Sequence, residues 1–145
     1  MIALIQRVSE ARVTVDGTVT GSIGRGLLVL LAVQPDDDDS RVKRMAERVL
    51  TYRVFPDDTG RMNRSLVDDS LELLVVPQFT LAADTKKGTR ASFTRAAPPE
   101  MGNDYFGRFL AACKERLAVV ETGVFGADMK VSLVNDGPVT FWLEA

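Results

Sequence analysis

The chain has 145 residues, with 18 Lys and Arg against 20 Asp and Glu, one cysteine and no histidine. This length predicts one domain, residues 1–145, that buries about two thirds of the surface of its unfolded chain. The net charge of -2 argues against a broad nucleic-acid-binding surface, the single cysteine excludes an internal disulfide, and the lack of histidine excludes Ser-His-Asp and Cys-His catalysis.

The first third of the chain has the pattern of β-structure. Residues 2–8 form a candidate strand, and residues 12–20 alternate around an Asp16-Gly17 turn, which predicts a hairpin. Residues 27–33 are apolar without interruption, which is typical of a strand buried on both faces. That run is far shorter than the ~20 residues that cross a bilayer, and the first residues lack the apolar length of a signal peptide. We therefore expect a cytoplasmic protein with no membrane partner.

A helix is predicted after the four consecutive aspartates of residues 36–39. Negative charge is favourable at a helix N-terminus, and Val42, Met45 and Val49 recur at helical spacing on one face. A metal site is a poor alternative, because consecutive side chains on a first turn point in different directions. We interpret the aspartates as the start of a helix.

The second half of the chain adds strands and one more helix. Residues 55–69 are polar and rich in turn formers, residues 70–76 alternate like a strand, and a long polar loop ends at Pro98-Pro99, which opens a helix. The apolar stripe of this helix is predicted to lie in the core: Met101, Tyr105, Phe109, Cys113 and Leu117. The last strands are predicted at residues 119–122, 129–134 and 139–143. This order predicts an α/β fold in which mixed β-structure is layered with two main helices.

Familiar cofactor motifs are missing from the sequence. It has no Gly-x-x-x-x-Gly-Lys-Ser/Thr phosphate loop, and the glycines of residues 21–26 have the wrong spacing for a dinucleotide fingerprint. We expect neither a metal nor a cofactor. An enzyme with these side chains must work chiefly by positioning its substrate and by main-chain hydrogen bonds.

Two short stretches are distinctive. Residues 77–81, PQFTL, place an aromatic and a threonine where a strand meets a loop. Residues 134–140, VNDGPVT, begin like a hairpin, but a proline then removes a backbone donor. Taken alone, Gly137-Pro138 is typical of the start of an edge strand.

These stretches, with the segments at residues 4–17, 26–33, 86–93 and 122–140, make the whole chain resemble the D-aminoacyl-tRNA deacylases. That family is marked by Ser-Gln-Phe-Thr-Leu and Asn-x-x-Gly-Pro or Asn-Asp-Gly-Pro-Val-Thr stretches. The resemblance implies a fold of β/β/α layers, a homodimer and hydrolysis of the ester that joins a D-amino acid to the 3′-terminal adenosine of tRNA. It also implies activity on glycyl-tRNA mischarged on tRNA(Ala).

The resemblance further implies a chiral gate made of backbone. Gly137 and Pro138, joined by a cis bond, would enter the active site of the twofold-related partner and engage the α-ammonium group of the substrate with their carbonyls. An L side chain would collide with this backbone and be rejected. Arg7 is implied to hold the motif, and Met129 is expected to line the pocket.

The residues implied to act in catalysis are Gln78, Phe79 and Thr80. Backbone N–H groups around Phe79 and Thr80 are expected to stabilise the oxyanion, and the resemblance implies that the 2′-hydroxyl of the substrate assists attack by water. Thr80 as a covalent nucleophile is the alternative, but an internal threonine has no free amine to act as its base.

A basic loop follows this motif. Lys86, Lys87 and Arg90 are expected to contact phosphates of the aminoacylated tRNA acceptor end. The alternative is an ordinary solvated loop.

Pro77 departs from the usual serine of the family and lacks both a hydroxyl and an N–H. A related animal subgroup combines Pro-Gln-Ala-Thr-Leu with a trans Gly-Pro and relaxed chirality, whereas Phe79 and Arg7 favour the D-specific class. Two further functions stay open. One is a non-catalytic dimeric nucleic-acid-binding module, which the acidic net charge disfavours; the other is a broad esterase that uses Thr80.

Overall fold

A computed structural model describes residues 1–145 and shows a six-stranded mixed sheet packed against two long helices. This confirms the predicted α/β fold. In chain order the elements are β1 Ile2–Val15, β2 Thr18–Ile23, β3 Gly26–Ala32, α1 Asp39–Thr51, β4 Phe55–Pro56, β5 Met62–Arg64, α2 Leu66–Asp69, β6 Glu72–Pro77, a 3₁₀ turn Phe79–Ala82, α3 Pro99–Lys114, β7 Val120–Thr122 and β8 Lys130–Glu144. None of the helices has both the length and the apolar character needed to cross a membrane.

The long strand β1 organises the sheet. It pairs antiparallel with β8 along one edge and with β3 and then β2 along the other. Beyond β3, the strands β6 and β7 add in parallel. The sheet curls until β2 approaches β7, where a Cβ built on Gly21 would lie only 2.6 Å from the carbonyl oxygen of Thr122. The result is close to a barrel.

The core lies on both faces of this curled sheet. Alternate residues of β3, such as Leu27 and Val29, face the helices, while Leu28 belongs to a second buried cluster on the inner face. The uninterrupted apolar run is thus buried on both sides, as predicted. The helix-side cluster includes Val42, Met45, Val49, Phe106, Phe109 and Cys113, and the inner cluster includes Val8, Val13, Ile23, Leu74 and Val76.

The aspartate run begins α1, as predicted. Asp38 is the N-cap residue, and its side chain accepts a hydrogen bond from the N–H of Arg41 at 2.9 Å. Asp37 is buried and accepts from the N-terminal ammonium of Met1 at 2.6 Å and from the N–H of Gln34 at 2.8 Å. One carboxylate therefore caps the helix and another anchors the start of β1.

The strand boundaries at both ends of the chain differ from the prediction. β1 is continuous from residue 2 to 15, where two separate strands were expected. Its pairing with β8 is irregular around Ser9, and the irregularity exchanges the two faces: Ile5 packs toward the helices, whereas Ala11 and Val13 pack in the inner cluster. Period-two alternation breaks at such a bulge, which is why the sequence suggested an interruption.

β8 is likewise one strand, and the hairpin-like start of VNDGPVT does not produce a hairpin. Asn135 pairs with Val8 and Thr140 with Gln6, so both limbs continue along the same partner strand in one direction. Residues 136–139 lie opposite Arg7 alone and have no ladder partner. We call residues 136–139 the projecting segment.

Candidate active site

A cavity of about 750 Å³ opens where β6 ends. Its walls come from the end of β6, the 3₁₀ turn, residues 93–99, the start of α3 and residues 125–131. Three predicted site residues, Gln78, Phe79 and Met129, line it. The lining is largely apolar, so the cavity suits a ligand with a flat or apolar portion.

Pro77 lies at the end of β6 and lines this cavity. Gln78 donates its N–H to the carbonyl of Leu31 on β3 at 2.8 Å. Since successive N–H groups of a strand point to opposite sides, the nitrogen of Pro77 faces β7, which has already ended at Thr122. The N–H of Gly123, one residue beyond β7, still donates to the carbonyl of Val75 at 2.9 Å, and the next donor in this parallel ladder would be residue 77. Proline has no N–H to donate, so the pairing of β6 with this segment ends there.

The 3₁₀ turn at residues 79–82 begins beside the cavity and leaves two of its backbone N–H groups unbonded. Its bonds begin with the N–H of Leu81, which donates to the carbonyl of Gln78 at 3.2 Å. The N–H groups of Phe79 and Thr80 precede that bond, where a helix offers no acceptor, and no loop or side-chain acceptor binds them. The Phe79 side chain is 57% exposed and packs on Phe93 with ring centroids 5.3 Å apart.

Thr80 has no base beside its hydroxyl. Its Oγ1 accepts a hydrogen bond from Nε2 of Gln78, an amide that cannot take up a proton. Thr80 does not line the cavity itself. The one thiol is no substitute nucleophile, because burial in the core raises the pKa of Cys113 to about 12.

Gly137 and Pro138 do not line the cavity of their own chain. They stand on the exposed part of the projecting segment, and the peptide bond between them is cis, which is the configuration implied by the family resemblance. Gly137 has φ +132°, and a Cβ built on it would lie 2.8 Å from Cγ2 of Val139. No side chain or loop N–H donates to the carbonyl oxygens of Gly137 and Pro138.

Arg7 lies beneath the projecting segment. Its Nε donates to the carbonyl of Asp136 at 3.0 Å and its Nη1 to the carbonyl of Val54 at 2.8 Å, while the side chain is only 14% exposed. The nearest Arg7 atom, Nη2, is 3.1 Å from a Cβ built on Gly137. The predicted partners Arg7, Gly137 and Pro138 are therefore brought together, away from Gln78, Phe79 and Met129.

Lys86, Lys87 and Arg90 lie on an exposed loop next to the cavity. Asp84 and Ser92 close this loop by exchanging two backbone hydrogen bonds, of 2.8 and 3.0 Å. None of the three cations forms a salt bridge. Phe93, which follows directly, is part of the cavity wall.

Met129 is held in the wall by its sulfur. Sδ accepts a hydrogen bond from the N–H of Val124 at 3.4 Å. This contact folds residues 124–129 against the end of β6, where Phe125 also lines the cavity and packs beside Phe106 with centroids 6.4 Å apart.

Several functional residues escaped the sequence analysis. Phe125, Gly102 and the segment 96–99 line the cavity, yet apolar residues and turn formers carry no local signal that distinguishes a cavity wall from core. Asn135 belongs to the distinctive VNDGPVT stretch, but no role was predicted for its side chain, which bonds across the projecting segment.

The chain matches one family model and is similar to known proteins over its whole length. A family model described as D-Tyr-tRNA(Tyr) deacylase matches residues 4–144. The chain is 63% identical over 145 residues to a D-aminoacyl-tRNA deacylase of Alkalilimnicola ehrlichii, covering 100% of this chain and 97% of the relative. It is 58% identical over 144 residues to a D-aminoacyl-tRNA deacylase of Photobacterium profundum, covering 99% of each chain.

Two solved structures are similar to the whole chain. A c-Myc DNA unwinding element binding protein is 38% identical with a TM-score of 0.95, covering 100% of this chain and 99% of the other. A probable eukaryotic D-amino acid tRNA deacylase is 17% identical with a TM-score of 0.89, covering 99% of this chain and 98% of the other, which shows a shared fold.

Proposed function

This chain belongs to the D-Tyr-tRNA(Tyr) deacylase family, and we propose that it hydrolyses the ester bond of D-aminoacyl-tRNA, releasing a free D-amino acid and tRNA. The observation that supports this best is the unbonded backbone N–H of Phe79, a residue that lines the cavity, together with the unbonded N–H of the next residue, Thr80. Such donors stabilise the oxyanion of acyl transfer, and each contributes roughly 10² to 10³ in rate in well-studied hydrolases.

The attacking water needs a general base, and no side chain near Thr80 can act as one. The hydroxyl of Thr80 contacts only the amide of Gln78, and the chain has no histidine. We propose that the ribose 2′-hydroxyl of the substrate, which adjoins the ester, assists the water. The enzyme then contributes positioning and the two backbone donors.

Chiral selection is assigned to Gly137 and Pro138 acting across a homodimer. They are exposed, no side chain or loop N–H donates to their carbonyl oxygens, and they do not reach the cavity of their own chain, which supports entry into a partner's cavity. The outer edge of β8, beside the exposed Phe141 and Trp142, has no strand partner within the chain. A backbone wall rejects L side chains whatever their identity, so many D-aminoacyl groups and the glycyl group of mischarged tRNA(Ala) would pass.

The basic loop is the proposed site for the tRNA acceptor end. Lys86, Lys87 and Arg90 are exposed and free of salt bridges, so their charges are available to phosphates. Their loop leads into Phe93 at the cavity wall, which supports phosphate contacts beside the proposed ester site. We also propose that the enzyme is cytoplasmic.

The deciding experiment compares hydrolysis of D-Tyr-tRNA and L-Tyr-tRNA by the purified protein and by Pro138→Ala. Rapid hydrolysis of the D-ester alone, with weakened discrimination in the variant, is expected. Pro56→Ala, an exposed proline on β4, is the matched control and should behave like the unmodified protein. Equal hydrolysis of both esters would instead assign the chain to a relaxed-chirality class. Pro77 would then be the sequence feature that indicates this class.

Nucleic-acid binding without hydrolysis is the second candidate, because one similar structure is named a DNA unwinding element binding protein. This reading predicts tight binding of bare duplex DNA that weakens steeply with salt. The deacylase reading predicts affinity that depends on the aminoacylated end. Titration of both ligands at two salt concentrations separates the two.

A further inference from the structure

The side chain of Asn135 ties together the two ends of the projecting segment. Its Oδ1 accepts the N–H of Val139 at 3.2 Å, and its Nδ2 donates to Oγ1 of Thr140 at 2.9 Å. One amide group therefore connects the residue before the segment to its last residue and to the residue after it. Resting on the function proposed above, we propose that Asn135 is a positioning residue that fixes the Gly137-Pro138 backbone for chiral discrimination.

The hydroxyl of Thr140 extends this connection to the sheet. Its Oγ1 also accepts from Nε2 of Gln6 on β1, at 3.5 Å. Thr140 pairs with Gln6 in the β1–β8 ladder. The Asn135 amide therefore bonds to a residue that the sheet holds in place. A side chain held in this way can hold a neighbouring loop with it.

The segment needs such support because the ladder gives it none. Its four residues have no partner on β1, and Asp136, Gly137 and Pro138 are exposed. Arg7 bonds only the first of them, at the carbonyl of Asp136. Val139, at the other end, packs against the main core, and its N–H donates to Oδ1 of Asn135.

Rejection of an L side chain by collision requires a wall that does not yield. Catalytic and binding geometry must be held within about 0.5 Å for full effect. With the Asn135 contacts intact, the segment is fixed at both ends, by Arg7 at its start and by Asn135 at its close. Without them Val139 and Thr140 lose their bonds to Asn135, the end that follows Pro138 is held less firmly, and an L-aminoacyl ester gains access.

The test measures the ratio of D-Tyr-tRNA to L-Tyr-tRNA hydrolysis in Asn135→Ala, Thr140→Val and Thr140→Ser. Asn135→Ala removes both amide contacts, Thr140→Val removes the hydroxyl acceptor, and Thr140→Ser keeps it. We expect the ratio to fall at least about tenfold in the first two variants, the scale set by loss of one or two hydrogen bonds. Thr140→Ser should keep the ratio of the unmodified protein, because it keeps the hydroxyl acceptor.

The double variant Asn135→Ala/Thr140→Val should have the same ratio as Asn135→Ala alone, because the contact between Nδ2 of Asn135 and Oγ1 of Thr140 is already absent from Asn135→Ala. Thermal unfolding is measured in parallel; a lowered midpoint with an unchanged ratio would show a merely structural contact and overturn the inference. If Asn135→Ala fails to fold, the Thr140→Val and Thr140→Ser pair decides the matter. Failure of the unmodified protein to hydrolyse D-Tyr-tRNA would overturn the proposed function itself, whereas selective hydrolysis with insensitive variants would overturn only the role of Asn135.

Discussion

Arg7 donates a hydrogen bond from Nε to the main-chain carbonyl of Asp136 at 3.0 Å, one residue before Gly137. The same guanidinium bonds the carbonyl of Val54 at 2.8 Å. A planar fork of donors can serve two acceptors at once, whereas the single ammonium of lysine cannot replace that geometry.

Arg7→Lys should therefore loosen the projecting segment and lower the stability of the protein. We expect a loss of about 1.5 to 3 kcal/mol, the range for hydrogen bonds to a charged group, and weaker discrimination against L-Tyr-tRNA. Urea unfolding and paired deacylation assays measure the two effects. Arg12→Lys is the matched control on the same strand, since Arg12 is exposed and forms no salt bridge. Equal behaviour of the two variants would contradict the assigned role of Arg7.

Gly137→Ala should abolish chiral discrimination and destabilise the projecting segment. The new Cβ would lie 2.8 Å from Cγ2 and 3.0 Å from the nitrogen of Val139, and φ at this position is +132°. Gly60→Ala is the control: Gly60 also has a positive φ, +82°, but a Cβ there meets nothing within 4 Å. Backbone strain of this kind costs about 1 to 3 kcal/mol, and only Gly137→Ala adds the close contacts with Val139. Gly137→Ala should therefore lower the free energy of unfolding more than Gly60→Ala does. A similar cost at both positions would mean that Val139 moves aside.

Thr80→Ala should retain most of its deacylase activity, within about tenfold of the unmodified protein, because the oxyanion donors are backbone groups. Removal of a true covalent nucleophile costs on the order of 10⁶ in kcat in a well-studied hydrolase. Single-turnover hydrolysis of D-Tyr-tRNA measures the difference, with Thr80→Ser as the conservative companion. Complete loss in a folded Thr80→Ala protein, with rescue by serine, would revive the nucleophile mechanism.

Asp57 should make stability depend on pH in strongly acidic solution. Hydrogen bonds from the Thr59 hydroxyl and the Asn63 amide lower the pKa of Asp57 from 3.8 to about 2. Because the folded-state pKa lies below the unfolded one, the stabilisation is complete above about pH 4 and is lost as pH falls through about 2. Carboxyl NMR titration measures the pKa directly. Asp57→Asn should remove this part of the pH dependence, and an unshifted titration near 3.8 would contradict the contacts.

The local spacing of apolar residues in the sequence predicted much of the fold. The apolar spacing of α1, the stripe of α3 and the unbroken run of β3 each follow from burial on one face or on two, so each was visible in sequence. The start of α1 was also predictable, since the capping residue Asp38 is close in sequence to Arg41, whose N–H it accepts.

The rest depends on partners that are distant in sequence. The face switch of β1 near Ser9 and the continuity of β8 through Pro138 arise from pairing with each other, which no local window contains. The cavity walls at Gly102 and Phe125 come from separate elements and consist of residues that also suit a core. The family resemblance predicted that Arg7 holds Gly137 and Pro138, and the three lie together in the structure. The two hydrogen bonds of the Asn135 amide could be seen only in the structure.

The pairing of β1 with β8 also sets the order of events during synthesis. Gln6 and Thr140 meet across a separation of 134 positions, and contacts of such high sequence separation slow folding because a long loop must close first. While the ribosome is still translating, β1 has emerged but one of its edges has no strand to pair with. Nascent chains that stall before residue 130 therefore expose that edge to other chains, and we expect them to be recognised by chaperones or to aggregate.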